Sequence, residues 1–358
     1  MVESLFPKGT ARFWTALLSI LLAFAIGAVM IIVNGDNPIL AYSTMIQSSL
    51  GSVNNLAATL AVATPLIFTG LSVAVAFRTG LDNIGSEGQL YMGAMAGALV
   101  GIYLKGLPTT VHITISILAG AIVGGLWGWI FGWLNVKLKV NLVVTTIMAN
   151  YLGILFTSYL ANYPFKPPRA PIGSTTFVQD SARLYRFFDS STLNAGFLIA
   201  LAMLVVYALF FNYTKFGFEW KTIGLNRFFA RYIGMNIHRQ MLWAMFASGG
   251  FAGIAGAVEV LGVQGRFVQN MSPGYGYDGI LVALLAGNSA PGILAVSILF
   301  GALRIGGIGV EQVTNVPSEL SSVLRAIIIL LVAAQAVIFA FLKTRRKKHH
   351  ELGSTVRS

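Results

Sequence analysis

Eight apolar runs of roughly membrane-crossing length leave this 358-residue chain few ways to fold in water. They cover residues 13–33, 56–76, 89–104, 110–134, 142–163, 193–213, 241–261 and 319–342. A hydrocarbon core of about 30 Å calls for about 20 apolar residues in a helix. Only 10% of the residues are charged, against about 25% in an ordinary soluble domain, too few to cover a surface facing water. The expected architecture is an all-α, polytopic membrane bundle forming one domain over residues 1–358. The absence of cysteine rules out a disulfide framework and thiolate metal sites.

The first run follows Lys8 and Arg12 and holds 21 residues. A signal-peptide core is shorter, about 7–15 residues, so the run reads as a retained first helix. Residues 280–304 are apolar as well, but "GNSAPG" (287–292) interrupts them. Broken backbone at membrane depth is tolerated where protein or a water-filled cavity surrounds it. With both termini on the cytoplasmic side the crossings must be even in number. That gives eight full spans plus a re-entrant broken pair, up to ten segments. The segments then expected inside (1–12, 77–88, 135–140, 214–240 and 343–358) hold 16 of the 24 Lys and Arg, as the positive-inside rule requires. The tail "KTRRKKHHELGSTVRS" reads as a topology anchor at the lipid surface rather than a nucleic-acid arm. Gly120, Gly124, Gly128 and Gly132 recur every fourth residue, as do Gly249, Gly253 and Ala257. Such small-residue ridges let helices pack closely.

The chain carries no G-x-x-x-x-G-K-[ST], so it is expected to have no P-loop ATPase site of its own. "GYGYDG" (274–279) fits G-x-G-x-x-G literally but lacks a preceding strand. The four histidines have no ligand spacing with carboxylates. That inventory leaves no catalytic set, and no cofactor or metal is expected. The connection 214–240 is basic and rich in aromatics, with a helical pattern from Arg227 onward. It fits either an interfacial helix lying on lipid or a docking surface. "FRTGLDNIGSEGQ" (77–89) sets charged and amide side chains and three glycines between two apolar runs, like the discontinuous helices that line transporter sites. Arg78 is expected at the interface or paired with a carboxylate, with Asp82 and Glu87 deeper.

"FRTGLDNIGSEGQ", "GLNRFFARYIG" and "GYGYDGILVALLAGNSAPGILAVSILFGALRIGG", extended by "VVTTIMANYLG" and "VPSELSSVLRAIIIL", together resemble permease subunits of bacterial ABC importers. The group is that of branched-chain amino acid and simple-sugar importers, with closest similarity to nucleoside permeases. The resemblance implies a cytoplasmic ATP-binding subunit, a second permease subunit forming a heterodimer, and an extracytoplasmic substrate-binding protein. It implies two halves related as an inverted repeat. It also makes 214–240 a coupling loop, with Gly224, Asn226, Ala230, Arg231, Tyr232 and Gly234 contacting the ATPase. Phe229 stands where that pattern has a small alanine, Asp82 where it is apolar or aromatic, and Leu142 where it is acidic.

The resulting expectation is a nucleoside importer working by alternating access, with Asn83, Glu87, Gln89, Asn150 and Glu259 facing the pathway. Amide and carboxylate groups suit neutral hydroxylated substrates, and sugars would be suited almost as well. An ion-coupled carrier using Glu87 or Glu259 as proton or cation sites is the alternative of a different class.

Overall fold

A computed structural model describes residues 24–33, 35–188 and 191–314, together with Val323 and Ile327. The described residues form helices α1 (Phe24–Val33), α2 (Pro38–Leu50), α3 (Val53–Arg78), α4 (Ser86–Tyr103), α5 (Thr109–Leu138) and α6 (Leu142–Asn162). After them come α7 (Gly196–Tyr213), α8 (Lys215–Leu225), α9 (Arg227–Tyr232), α10 (Ile237–Val258), α11 (Tyr275–Leu285) and α12 (Ala290–Val313). A π-helical turn, Glu259–Gln264, continues α10. Among the described residues no strand forms; the extended connections make only two isolated bridges, Ser174 with Val268 and Arg186 with Asn194.

The chain divides into two compact units, residues 52–301 and the two flanking segments. In the flanking unit α1 and α2 meet at 120°, with Tyr42 Oη donating to the Phe24 carbonyl at 2.6 Å. Gly306 of α12 packs there on Met45 of α2.

In the larger unit the glycine ridges set the packing. Gly93 and Gly97 of α4 meet Gly253 and Ala257 of α10 in the same order, so these helices run parallel. Gly120, Gly124 and Gly128 of α5 meet Ala257, Gly249 and Met245 in reverse order, so α5 runs antiparallel to both. A Cβ at Gly124 would lie 2.6 Å from the Gly249 carbonyl oxygen and 2.7 Å from Gly253 Cα. The expected small-residue ridges thus face one another within one bundle. In α3 every residue from Ala63 to Ala76 is buried.

Among the described residues six helices are long and apolar enough to cross a membrane: α3, α5, α6, α7, α10 with its π-turn, and α12; the bent α1–α2 pair would make a seventh. The described residues therefore do not reproduce eight spans plus a broken pair. Most of the run 13–33 and nearly all of 319–342 lie outside the described residues, as do both termini and the tail 343–358. The run 89–104 becomes α4, which starts three residues earlier on the polar turn "SEG". The break near "GNSAPG" is present at 286–289, with Gly287 at φ +57° and Asn288 at φ +56°. Its second limb, however, is no half-helix. From Ala290 it runs 24 residues to Val313, because Pro291 sits in the first turn, where proline is tolerated, and no further proline follows within it. Residues 164–188 and 191–195 form a cap stitched to the bundle by Gln179 N–H to Gly101 O (2.8 Å) and Leu184 N–H to Leu261 O (3.0 Å).

Candidate functional site

Helix α3 stops at Arg78 because Gly80 takes φ +71°, letting the Gly80 and Leu81 amides fold back onto the Phe77 and Ala76 carbonyls. Residues 81–85 then run without helical bonds before α4 begins. In a low-dielectric bundle those backbone groups need partners, and the polar side chains of the neighbouring helices supply them. Asn150 of α6 accepts from Gly88 N–H at 2.8 Å and donates to the Ile84 carbonyl at 2.9 Å. Thr146 Oγ1 accepts from Ile84 N–H at 3.2 Å. Asn83 Oδ1 accepts from Gly85 N–H at 2.9 Å, while its Nδ2 donates to Ser248 Oγ at 2.9 Å and to Gln89 Oε1 at 3.3 Å. Ser248 in turn donates to the Ser72 carbonyl at 2.7 Å, and Ser72 meets Ser86 Oγ at 3.1 Å.

Glu87 lies in the first turn of α4. Its Oε2 accepts the Gly276 N–H at 2.6 Å, and Gly276 is the second residue of α11. Gly276 packs so tightly on the Glu87 backbone that a Cβ there would overlap it. One carboxylate therefore sits at two helix N-termini, where exposed amides and the helix dipoles favour negative charge. The literal "GYGYDG" match is this junction, with Gly274 at φ +95° capping α11. Tyr277, 39% exposed, stands beside Asn150, Glu87 and Tyr151. Tyr151 is 61% exposed, so the polar junction reaches the flank of the bundle there.

Four of the five expected pathway residues are thus brought together: Asn83, Glu87, Gln89 and Asn150. Glu259 is not among them. It opens the π-turn eleven residues beyond Ser248, about 16 Å along the helix. All five are at most 6% exposed, and Asn83, Glu87, Gln89 and Asn150 bond to this chain's own groups. Two expectations for the same stretch change. Asp82 is exposed rather than deep. Arg78 takes aromatic rather than acidic partners, its guanidinium lying 4.8 Å from the Phe211 ring centre and 5.3 Å from Tyr207's. Ser72, Ser248, Tyr151 and Tyr277 escaped the sequence reading, because single serines and tyrosines in apolar runs look like ordinary helix residues.

The loop 214–240 is helical earlier than expected, from Lys215 as α8, with α9 following. Thr214 caps α8 by accepting from Gly217 N–H at 3.0 Å, and Asn226 caps α9 by accepting from Phe229 N–H at 3.0 Å. Gly224 lies against the end of α3, where a Cβ would overlap the Arg78 carbonyl. Arg227 donates from Nη2 to the Gly80 carbonyl. Gly234 ends the segment at φ +80° while Met235 N–H returns to the Ala230 carbonyl at 3.0 Å. Ala230 is fully buried, whereas Phe228 and Tyr232 are 86% and 89% exposed and Arg231 is exposed too. Gly224, Asn226, Ala230 and Gly234 therefore build the segment, and Arg231 and Tyr232 are free to meet another molecule.

Residues 55–333 match the family model described as "Branched-chain amino acid transport system / permease component". The guanosine ABC transporter permease protein NupP of Bacillus subtilis is 37% identical, over 95% of this chain and 99% of its own. The nucleoside ABC transporter permease protein NupB of Lactococcus lactis is 34% identical over 92% and 93%. The glucose ABC transporter permease protein TsgB13 of Haloferax volcanii is 33% identical over 90% and 89%.

Proposed function

The chain belongs to the family of branched-chain amino acid transport system permease components, and on that premise we propose that it is the membrane subunit of an ATP-driven importer of nucleosides. The relatives named for guanosine and nucleosides, alike over nine-tenths of the chain, support the substrate class. Its partners are a cytoplasmic ATP-binding subunit, a second permease subunit and an extracytoplasmic substrate-binding protein.

One contact carries the mechanism. The segment α8–α9 is pinned to the turn where α3 breaks, through Gly224 on the Arg78 carbonyl and Arg227 on the Gly80 carbonyl. That turn leads within seven residues to Glu87 and the α4–α11 junction. An ATPase gripping the exposed Phe228, Arg231 and Tyr232 would pull on Gly80 and so displace the break. Closure of the ATPases thereby becomes movement of the two helix N-termini, the step that alternating access requires. Asn83, Gln89 and Asn150 define the shape of that break, and Glu87 joins it to α11. Substrate passes along the flank where Tyr151 and Tyr277 surface. A hydroxyl-bearing flank of this kind suits a second permease subunit and a nucleobase better than lipid. The inverted pairing is supported by the two N-termini meeting head to head, one helix entering from each side. The loop 214–240 then lies on the cytoplasmic side, with both chain termini.

The test is uptake of labelled guanosine by cells carrying the chain and its partner subunits, with an uncoupler at maintained ATP. Uptake is expected to survive the uncoupler and to vanish in Gly224→Asp at normal membrane insertion. Uptake that collapses with the proton gradient and ignores Gly224→Asp refutes the proposal in favour of an ion-coupled carrier. The glucose relative, 33% identical, favours a simple sugar as the second reading. Uptake of labelled glucose that unlabelled guanosine does not inhibit would establish it.

A further inference from the structure

A groove of about 910 Å³ opens between α8 and the start of α10, apart from the helix junction and bordered by Ile233 and Gly234 at the end of α9. Its chemistry changes in order along α10. Arg239, Trp243 and Phe246 are spaced four and three residues apart, so they share one face of the helix. Phe246 lies about 10 Å further along the axis than Arg239. Lys215 lines the same groove from the first residue of α8. Both cations are exposed, Trp243 is 52% exposed, and its ring packs edge-on to Phe246 at 5.8 Å between centres.

The groove also holds one acid, Glu219. Gln240 Nε2 donates to its carboxylate, while Gln240 Oε1 accepts from Trp220 Nε1 at 2.8 Å. The floor is thus an internally bonded set, leaving the two cations facing outward. Cation, then tryptophan, then phenylalanine down one helix face is the sequence of environments met on passing from headgroups into acyl chains. Basic pockets between membrane helices suit anionic headgroups.

We propose that this groove is a binding site for one anionic phospholipid, its phosphate held by Lys215 and Arg239 and an acyl chain laid along Trp243 and Phe246. The site rests on the chain's crossing a membrane and not on what it transports. A lipid wedged there would brace α8 against α10, making the coupling segment's position sensitive to the charge of the leaflet.

The probe is brominated phosphatidylglycerol, titrated into the full chain in neutral detergent while tryptophan fluorescence is read. Brominated phosphatidylcholine serves as the comparison. The expected result is saturable quenching at lower phosphatidylglycerol than phosphatidylcholine, with Trp243→Phe reducing the saturable component and Trp243→Phe with Trp220→Phe removing it. Replacing both cations, Lys215→Gln with Arg239→Gln, raises the half-saturation concentration roughly 25-fold. Arg239→Lys, which keeps the charge, stays within a few-fold of the wild type and so separates charge loss from misfolding. Equal half-saturation for the two lipids, or an unchanged value in the double variant, overturns the proposal. Loss of quenching on adding the ATP-binding subunit, without any headgroup preference, would assign the groove to protein docking instead.

Discussion

Glu87 offers a choice between two physical roles that make opposite demands on an experiment. As a clamp, its carboxylate holds the N-termini of α4 and α11 together through the 2.6 Å bond from Gly276 N–H. As a substrate ligand it would bind solute and leave the bundle indifferent to its loss. Each helix N-terminus contributes up to ~2 kcal/mol to a partly buried negative charge, so two give a gross ~4 kcal/mol. Burying the carboxylate at 2% exposure opposes this, since desolvation cancels much of a buried charge's gain. Glu87→Gln keeps the shape and an acceptor for Gly276, so it should lose only the net charge effect, about 1–2 kcal/mol. Glu87→Ala also leaves the Gly276 amide without its acceptor, adding about 1–3 kcal/mol. The assay pairs denaturant unfolding of the purified full chain with the KM for uptake. The clamp predicts stability falling in the order wild type, Gln, Ala, with KM for both variants within about twofold. A tenfold rise in KM for Gln with unchanged stability would refute the clamp and place Glu87 on the pathway. A gain in stability for Gln would show desolvation outweighing the two helix ends.

Two further tests follow from packing. Gly253 lies where α4, α5 and α10 meet, and a Cβ there would overlap the Gly120 carbonyl. Gly253→Val should destabilise the bundle by about 1–3 kcal/mol or more through overpacking, read as loss of monodisperse protein after detergent extraction; wild-type behaviour would contradict the antiparallel α5–α10 seam. For Arg78, a double-mutant cycle of Arg78→Gln with Phe211→Leu should give a coupling of about 0.5–2 kcal/mol in unfolding free energy. A coupling near zero would remove the ring contact as the reason an arginine is retained at the end of α3.

The helices were largely legible because each is encoded by residues next to one another. The run 56–76 sits inside α3 and 110–134 inside α5, since nothing polar competes with a spanning helix there. The ridges of Gly120–Gly132 and Gly249–Ala257 were legible for the same reason, and only the identity of their partners had to come from the fold. The site was legible as a list of polar residues but not as an arrangement. Asn83 and Ser248 lie 165 positions apart, and Glu87 and Gly276 lie 189 apart. No local pattern announces that a carboxylate at one break will accept from the amide opening another helix. For Arg78 the interface and a carboxylate partner are the two readings the sequence offers; its aromatic seat was not legible, because Tyr207 and Phe211 lie one turn apart on a helix with nothing to mark them as a cation's partners. The α12 error came from treating "GNSAPG" as the centre of a hairpin, when its proline only begins the next helix.

The arrangement explains why so many polar groups are concentrated in a chain with so few. A continuous α3–α4 helix would satisfy its own backbone and need none of Asn83, Thr146 or Asn150. The break at Gly80 leaves the Ile84, Gly85 and Gly88 groups dependent on side chains from α6 and from the break itself. Those bonds are individually modest, about 1 kcal/mol each, so a break held by several of them can shift between two arrangements more readily than a helix can bend. The same turn is the one that Gly224 and Arg227 touch. The non-helical backbone between α3 and α4 is therefore in direct contact with the segment that projects Phe228 and Tyr232 from the bundle. Under the proposed coupling, a rigid α3–α4 connection would transmit a push from that segment as tilting of the whole bundle, whereas a hinged one would deliver it first to the junction at Glu87.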